Sequence, residues 1–469
     1  MRILFSFLLS VAAFSQSRFQ PGVKPFLATE APVVALTHVR VIDGTGAPAR
    51  EDQTIIVDHG KIAAVGPAAG TPPPPGAQVM DLAGHTVIPG LVGMHEHLFY
   101  PGGGGVPMYP EMAYTFPRLY LAAGVTTART AGSVEPYTDL NLKSLIDSAR
   151  MPGPKLYITG PYLEGKGAFT PQMHELSGPD DAAKTVDYWA DEGATSFKAY
   201  MNITRDELRA VIEEAHTRGF KVTGHLCSVT YSEAADHGID NLEHGFFPAT
   251  DFVPEKKPDA CPAQAVGQRT IAALDPDGAP FRDLVKKLVD RHVALTSTLT
   301  VFETLTPGRP MPPGLDVLLP QLRQNFDQFY QRTAENTQSV YTTLLPKGFL
   351  LERAFAHAGG LLIAGTDPTG AGGVVPGFSN QRQIELLVEE GFSPVEAIRI
   401  GTLNGAKFLG RDARVGSIAV GKQADVVVIN GDPSRTIADV RKVDMVFKQG
   451  IGYDPAKLIA SVSGKVGLW

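Results

Sequence analysis

Short apolar runs recur through the middle of the chain, separated by stretches whose apolar positions return every three or four residues. The runs read VIPGLVGMH, GVTTART, KLYITG, ATSFKAY, KVTGHL, NLEHG, VALTST and LLIAGTD. Runs of this kind suit strands buried on both faces, and the spacing between them suits amphipathic helices. Eight strands alternating with helices predict an α/β fold, a (β/α)8 TIM barrel spanning residues 89–410. Thr204 and Glu207 make a capping box at the head of TRDELRAVIEEAHTRGF, and Gly219 ends that helix. Gly193 stops DDAAKTVDYWADEG in the same way. Two connections, 246–292 and 299–350, are long and follow strands. They are expected on the catalytic face as lids or substrate walls.

The two ends of the chain have a different pattern. Residues 30–88 carry short strands and turns, with a hairpin signal at Asp58-His59-Gly60 and a stiff connector at TPPPPG. Residues 411–469 carry strand signals again in ADVVVIN and VDMVFKQG. The two ends together are expected to form one small β-sandwich. Residues 1–15 begin with Met1-Arg2, continue through an apolar stretch and reach small residues at Ala13 and Ser15. That order predicts a secretory signal peptide and an exported, periplasmic or extracellular protein.

The composition leaves this picture intact and removes some alternatives. The chain has 469 residues, 43% of them hydrophobic and 19% charged, so a large core is expected and global disorder is not. A net charge of −7 makes nucleic acid an unsuitable partner. No stretch beyond the leader has the roughly 20 apolar residues of a membrane span. Cys227 and Cys261 either pair as a disulfide, which an oxidising compartment allows, or stand as separate buried residues.

The candidate chemistry lies at the C-terminal ends of the predicted strands, where barrels carry their sites. His95 and His97 are two apart on one strand and therefore point to the same side. Lys198, His225, His244 and Asp367 follow at later strand ends. Seven of the 12 histidines fall elsewhere: His38, His59 and His85 in the sandwich, and His216, His237, His292 and His357 on or after helices. A lysine buried among metal ligands is costly as a cation, so its pKa falls and the neutral amine can take up carbon dioxide. Asp367 suits both a metal and a proton. Tyr200 shares the strand side of Lys198, and with Tyr100 and Arg129 it is a candidate for substrate contact, packing being the alternative for each.

These residues, together with VRVIDGTG, VIPGLVGMHEHL, GVTTART, NLEHG, GTDP, TLNGAKFLG and GKQADVVVINGDP, resemble the amidohydrolase superfamily in its binuclear, lysine-bridged form. The flanking pieces look most like imidazolonepropionase-like proteins and prolidase-like carboxypeptidases. The resemblance implies two divalent ions, zinc being the expected one, and a carbamate on Lys198. His95, His97, Lys198 and Asp367 would hold the first ion, and Lys198, His225 and His244 the second. A metal-bridging hydroxide would cleave an amide, peptide-like or cyclic amide C–N bond of a small-molecule substrate, with Asp367 handling the proton. His174 would reach the substrate from the loop after the third strand. Self-association into a homo-oligomer is a further implication. The chain departs from prolidase-like patterns at Thr130, where an Asp is usual, and at Gly224, where a Tyr is usual. Two other readings stay open. One is a mononuclear deaminase or another hydrolase, a lactonase or esterase, on this fold. The other is a binding protein on a degenerate barrel.

Overall fold

The computed structural model describes residues 19–102 and 108–468; the expected signal peptide at 1–15 lies outside the described residues. Its architecture is mixed α/β, a parallel barrel joined to a β-sandwich sheet drawn from both ends of the chain.

The barrel strands are β1 (Leu91–Glu96), β2 (Val125–Thr130), β3 (Lys155–Tyr157, resuming after Ile158 as Thr159–Glu164), β4 (Ser196–Ala199), β5 (Lys221–Gly224), β6 (Asn241–Glu243), β7 (Ala294–Ser297) and β8 (Leu362–Ala364). All pair in parallel along one path from β1 to β8. Nearly every residue of these strands is buried, as expected where side chains fill the barrel on one face and helices cover the other. The path closes at the mouth, where the Thr366 and Asp367 amides both donate to the His95 carbonyl, at 3.1 and 2.9 Å. Gly365 makes that approach feasible, because a Cβ there would overlap the backbone and Cβ of His95. Gly365→Ala is therefore expected to lower stability by about 1–3 kcal/mol, read from denaturant unfolding.

The helix Arg205–Thr217 begins with the expected capping box: Thr204 accepts from the Glu207 amide, and the Glu207 carboxylate accepts from the Thr204 amide. Gly193 ends Pro179–Glu192 in the left-handed region. The two long connections both carry helices, Gln264–Ala273 and Ala279–Asp290 in the first and Leu299–Thr304 and Pro320–Glu335 in the second, which also contains the start of Tyr341–His357. They are built walls rather than open loops.

Among the described residues the second sheet has nine strands. Val426–Asn430, from the C-terminal end, pairs antiparallel with His85–Pro89 from the N-terminal end, setting Val428 opposite Val87. The hairpin Arg50–Asp58 to Lys61–Pro67 turns through His59 and Gly60, both at positive φ, as a two-residue turn of this hand requires. Val34, Leu36, Ile55, Val87, Val426 and Phe447 form its separate small core. The run VIPGLVGMH is divided: His85–Pro89 belongs to this sheet, and the barrel begins at Leu91. The final helix, Pro455–Val462, sends Leu458 and Val462 into the main core instead of the sandwich. Among the described residues no helix is long and apolar enough to cross a membrane.

Candidate active site

The strand ends bring His95, His97, Lys198, His225, His244 and Asp367 to the mouth of the barrel. Asp367 Oδ1 lies 3.2 Å from His97 Nε2 and 3.6 Å from His95 Nε2, and its Oδ2 lies 3.8 Å from His244 Nδ1. Lys198 Nζ is 3.2 Å from His95 Nε2. The His225 and His244 rings are 4.4 Å apart, and those of His95 and His244 are 4.5 Å apart. Ligand atoms of His95, His244 and Asp367 all fall within 4.8 Å of one another.

Backbone conformation helps aim two of these groups. His244 and Asp367 have φ of 66° and 55°, in the left-handed region. That region costs a non-glycine residue about 1–2 kcal/mol, and such strain gathers at functional sites.

Neighbouring groups orient the rings. His95 Nδ1 meets Glu243 Oε2 at 2.8 Å, leaving Nε2 facing the cluster. The Gly132 carbonyl lies 3.3 Å from His97 Nδ1, and Thr298 Oγ1 lies 2.8 Å from His244 Nδ1. For His95 and His97, a carboxylate or carbonyl on the far nitrogen is the usual support of a metal-binding imidazole; Thr298 instead meets His244 on the nitrogen that lies 3.8 Å from Asp367. Glu96 points to the other side of β1, where it accepts from Thr366 and Asn380. Sequence reasoning missed Glu243, Thr298 and Tyr162, whose hydroxyl lies 3.4 Å from His97 Nε2. For Glu243 a signal existed, since it stands directly before His244.

The electrostatics suit a cation. Burial, with Lys198 adding to it, brings His95 down to about 3, and burial holds the other three imidazoles below their ordinary value, so the rings are uncharged nitrogen donors. Burial alone would raise Asp367, but the surrounding imidazoles hold it well below the usual carboxylate range. Burial lowers Lys198 to about 8, against the opposing pull of Glu243 and Asp367. Neutral imidazoles beside an ionised carboxylate are the donor set of zinc and similar divalent ions.

Arg129 is not placed to touch substrate. It is 1% exposed and lies beneath the cluster. Its guanidinium donates to Glu243 Oε1 at 2.7 Å, to the Met94 carbonyl and to Thr223 Oγ1. Tyr100 is also buried and donates to the Gly372 carbonyl. The His174 ring is exposed and pairs with Asp181 at 3.0 Å, a surface contact in place of the expected approach to substrate. Tyr200 does reach the cluster, its ring 4.9 Å from that of His225. Cys227 and Cys261 are joined as a disulfide, linking the segment after β5 to the one after β6. Of the histidines expected elsewhere, His85 and His216 pair with Asp444 and Asp240.

Behind His244, Gly245 packs on the buried carboxyl of Glu352, which also neighbours Glu390. Burial raises Glu352 to about 8 from an ordinary 4.5. A carboxyl raised in the fold contributes stability that is complete below its unfolded value and is lost as pH rises through the folded one. Glu352→Gln is thus expected to raise the melting temperature relative to wild type at about pH 9, with a much smaller difference near pH 5. Thermal unfolding at the two pH values checks it.

Uncharged imidazoles and a carboxylate gathered where parallel strands end make a candidate metal site at the mouth of the barrel. Comparison with known proteins points the same way. The Amidohydrolase family model matches residues 345–452. The imidazolonepropionase of Parabacteroides distasonis is 32% identical over 120 residues, 24% of this chain and 29% of that protein. Adenine deaminase 3 of Rhizobium meliloti is 24% identical over 409 residues, 83% of this chain and 53% of that protein. The chain therefore spans about half or less of these two curated relatives. A solved structure from Bifidobacterium longum, assigned as a prolidase, is 26% identical, with a TM-score of 0.66 covering 90% of this chain and 94% of that one. Residues 345–452 thus carry the Amidohydrolase family match, on a fold shared with that solved structure over 90% of the chain.

Proposed function

We propose that this chain is a metal-dependent hydrolase that cleaves an amide or cyclic amide C–N bond in a small molecule. The observation that carries the reading is the meeting of His95, His244 and Asp367 within 4.8 Å, with His97, Lys198 and His225 beside them. The likeness to an imidazolonepropionase, an adenine deaminase and a protein assigned as a prolidase supports hydrolysis over a non-catalytic role.

In this reading His95, His97, Lys198 and Asp367 would hold one divalent ion, and Lys198, His225 and His244 would hold a second, zinc being the first choice. When bound, such ions polarise a carbonyl oxygen and lower the pKa of water to about 7. The chain's own groups do the rest. Asp367, ionised and partly open at 13% side-chain exposure, takes a proton from the attacking water and returns it to the leaving nitrogen. Glu243, Gly132 and Thr298 keep the rings in place. The Lys198 nitrogen bonds to the carbon of carbon dioxide and gives up a proton to solvent, so an amine becomes an anionic carbamate. The proposal includes export, with residues 1–15 as the leader.

A single-ion reading is favoured by the tightness of the His95, His244 and Asp367 grouping. Metal analysis of reconstituted protein, with carbon-13 bicarbonate followed by NMR, separates the two. Two ions per chain and a carbamate resonance that disappears in Lys198→Ala are expected. One ion and no such resonance would leave the single-ion reading standing.

A further inference from the structure

Five aromatic rings stand over the cluster in a closed circuit. Phe99 meets Tyr109 at 5.4 Å between centroids, Tyr109 meets Phe169 at 5.9 Å, and Phe169 meets Tyr200 at 5.8 Å. Tyr200 meets Tyr162 at 4.9 Å, and Tyr162 returns to Phe99 at 6.4 Å. The circuit rests on both halves of the cluster. Phe99 stacks on His97 at 4.4 Å, and Tyr200 meets His225 edge-on at 4.9 Å. Its floor is closed, Phe99 being 2% and Tyr162 4% exposed, but its lip is open, Phe169 being 43% exposed.

Phe169 leaves one edge of the circuit open to solvent, where a ligand ring could add to it. The wall is also held in place. The Tyr109 amide donates to Gln172 Oε1 at 2.7 Å, Gln172 Nε2 donates back to the Tyr109 carbonyl at 3.1 Å, and the Tyr200 amide donates to the Leu163 carbonyl at 2.9 Å. None of the five side chains is charged. The cations nearby are committed elsewhere: Arg129 to Glu243, and Lys198 beneath Tyr162 and Tyr200 within the ligand cluster. Lys166, in the same loop as Phe169, is exposed, and its charge acts on Glu175. A substrate carboxylate entering this wall would meet neutral tyrosine hydroxyls and no cation to offset its lost water, whereas an aryl group would gain edge and face contacts.

We propose that these five rings are a receptor for an uncharged aryl group carried beside the scissile bond, with Phe169 as a specificity-determining residue. The inference rests on the hydrolase reading above for its bond, but the receptor can be tested apart from it. N-benzylacetamide and N-methylacetamide present amide bonds of similar reactivity with and without the ring. In metal-loaded protein, Phe169→Ala is expected to lower kcat/KM for N-benzylacetamide about tenfold while leaving N-methylacetamide within about twofold, and Phe169→Tyr is expected to keep the wild-type ratio. Equal effects on both amides, or no preference in the wild type, would overturn the receptor. Should neither amide be hydrolysed, the hydrolase reading fails for such bonds, and equilibrium dialysis of N-benzylacetamide against metal-free protein decides the receptor alone. Binding weakened about tenfold in Phe169→Ala supports it, and equal or absent binding overturns it.

Discussion

Asp367→Asn is expected to reduce kcat by about 10²–10⁴ while the protein stays folded, the range associated with losing a positioned proton-transfer group. The amide keeps the shape of the carboxylate but cannot carry the proton. Among the described residues Asp367 is also the one carboxylate that meets His95, His97 and His244 together, so its loss removes a ligand oxygen from the centre of the cluster. The effect should therefore show in metal content as well as in rate. Raising the metal concentration should restore occupancy and leave most of the rate defect in place. Rate and metal content measured on the same samples separate the two contributions. A variant with full metal and near-normal kcat would show that another group moves the proton.

The second large effect is expected from Glu243→Ala. Glu243 is fully buried and bridges Arg129, at 2.7 Å, and His95, at 2.8 Å. Burial favours its neutral form, yet Arg129, His95 and Lys198 hold it well below the usual carboxylate range. Removing it leaves the Arg129 guanidinium buried without its counter-charge, a defect worth about 3–5 kcal/mol. It also frees His95 Nδ1, so metal affinity should fall about 10–100-fold. Denaturant unfolding of metal-free protein reads the first loss, and metal titration reads the second. Replacing Glu243 and Arg129 together with apolar residues should recover much of the stability but not the metal affinity, because only the stability term depends on the unpaired charge.

Part of this site was legible before any coordinates. The alternation of apolar runs and amphipathic stretches identified the barrel strands, because a strand buried on both faces has little choice of residue. Period two in β1 put His95 and His97 on one side and sent Glu96 to the other. Those six ligand candidates were readable because each closes a strand run, and barrel strands end at one mouth. Arg129 shows where that reasoning stops. Its place on β2 was correct, but strand position alone did not say that its guanidinium would turn under the cluster toward Glu243. His174 lay in an irregular stretch with no periodicity to aim it, and it pairs at the surface with Asp181.

By itself, then, the sequence determined which residue types stand at the strand ends, the parallel barrel that carries them and the sheet assembled from both termini. These follow from local pattern, and local pattern is written along the chain. Only the tertiary structure decided which of these groups touch: the left-handed backbone at His244 and Asp367, the Glu243 bridge between Arg129 and His95, and the ring circuit over the mouth. Such contacts join residues far apart in the chain at distances of a few ångströms. They depend on strand register and on barrel closure at Gly365, which no single segment encodes.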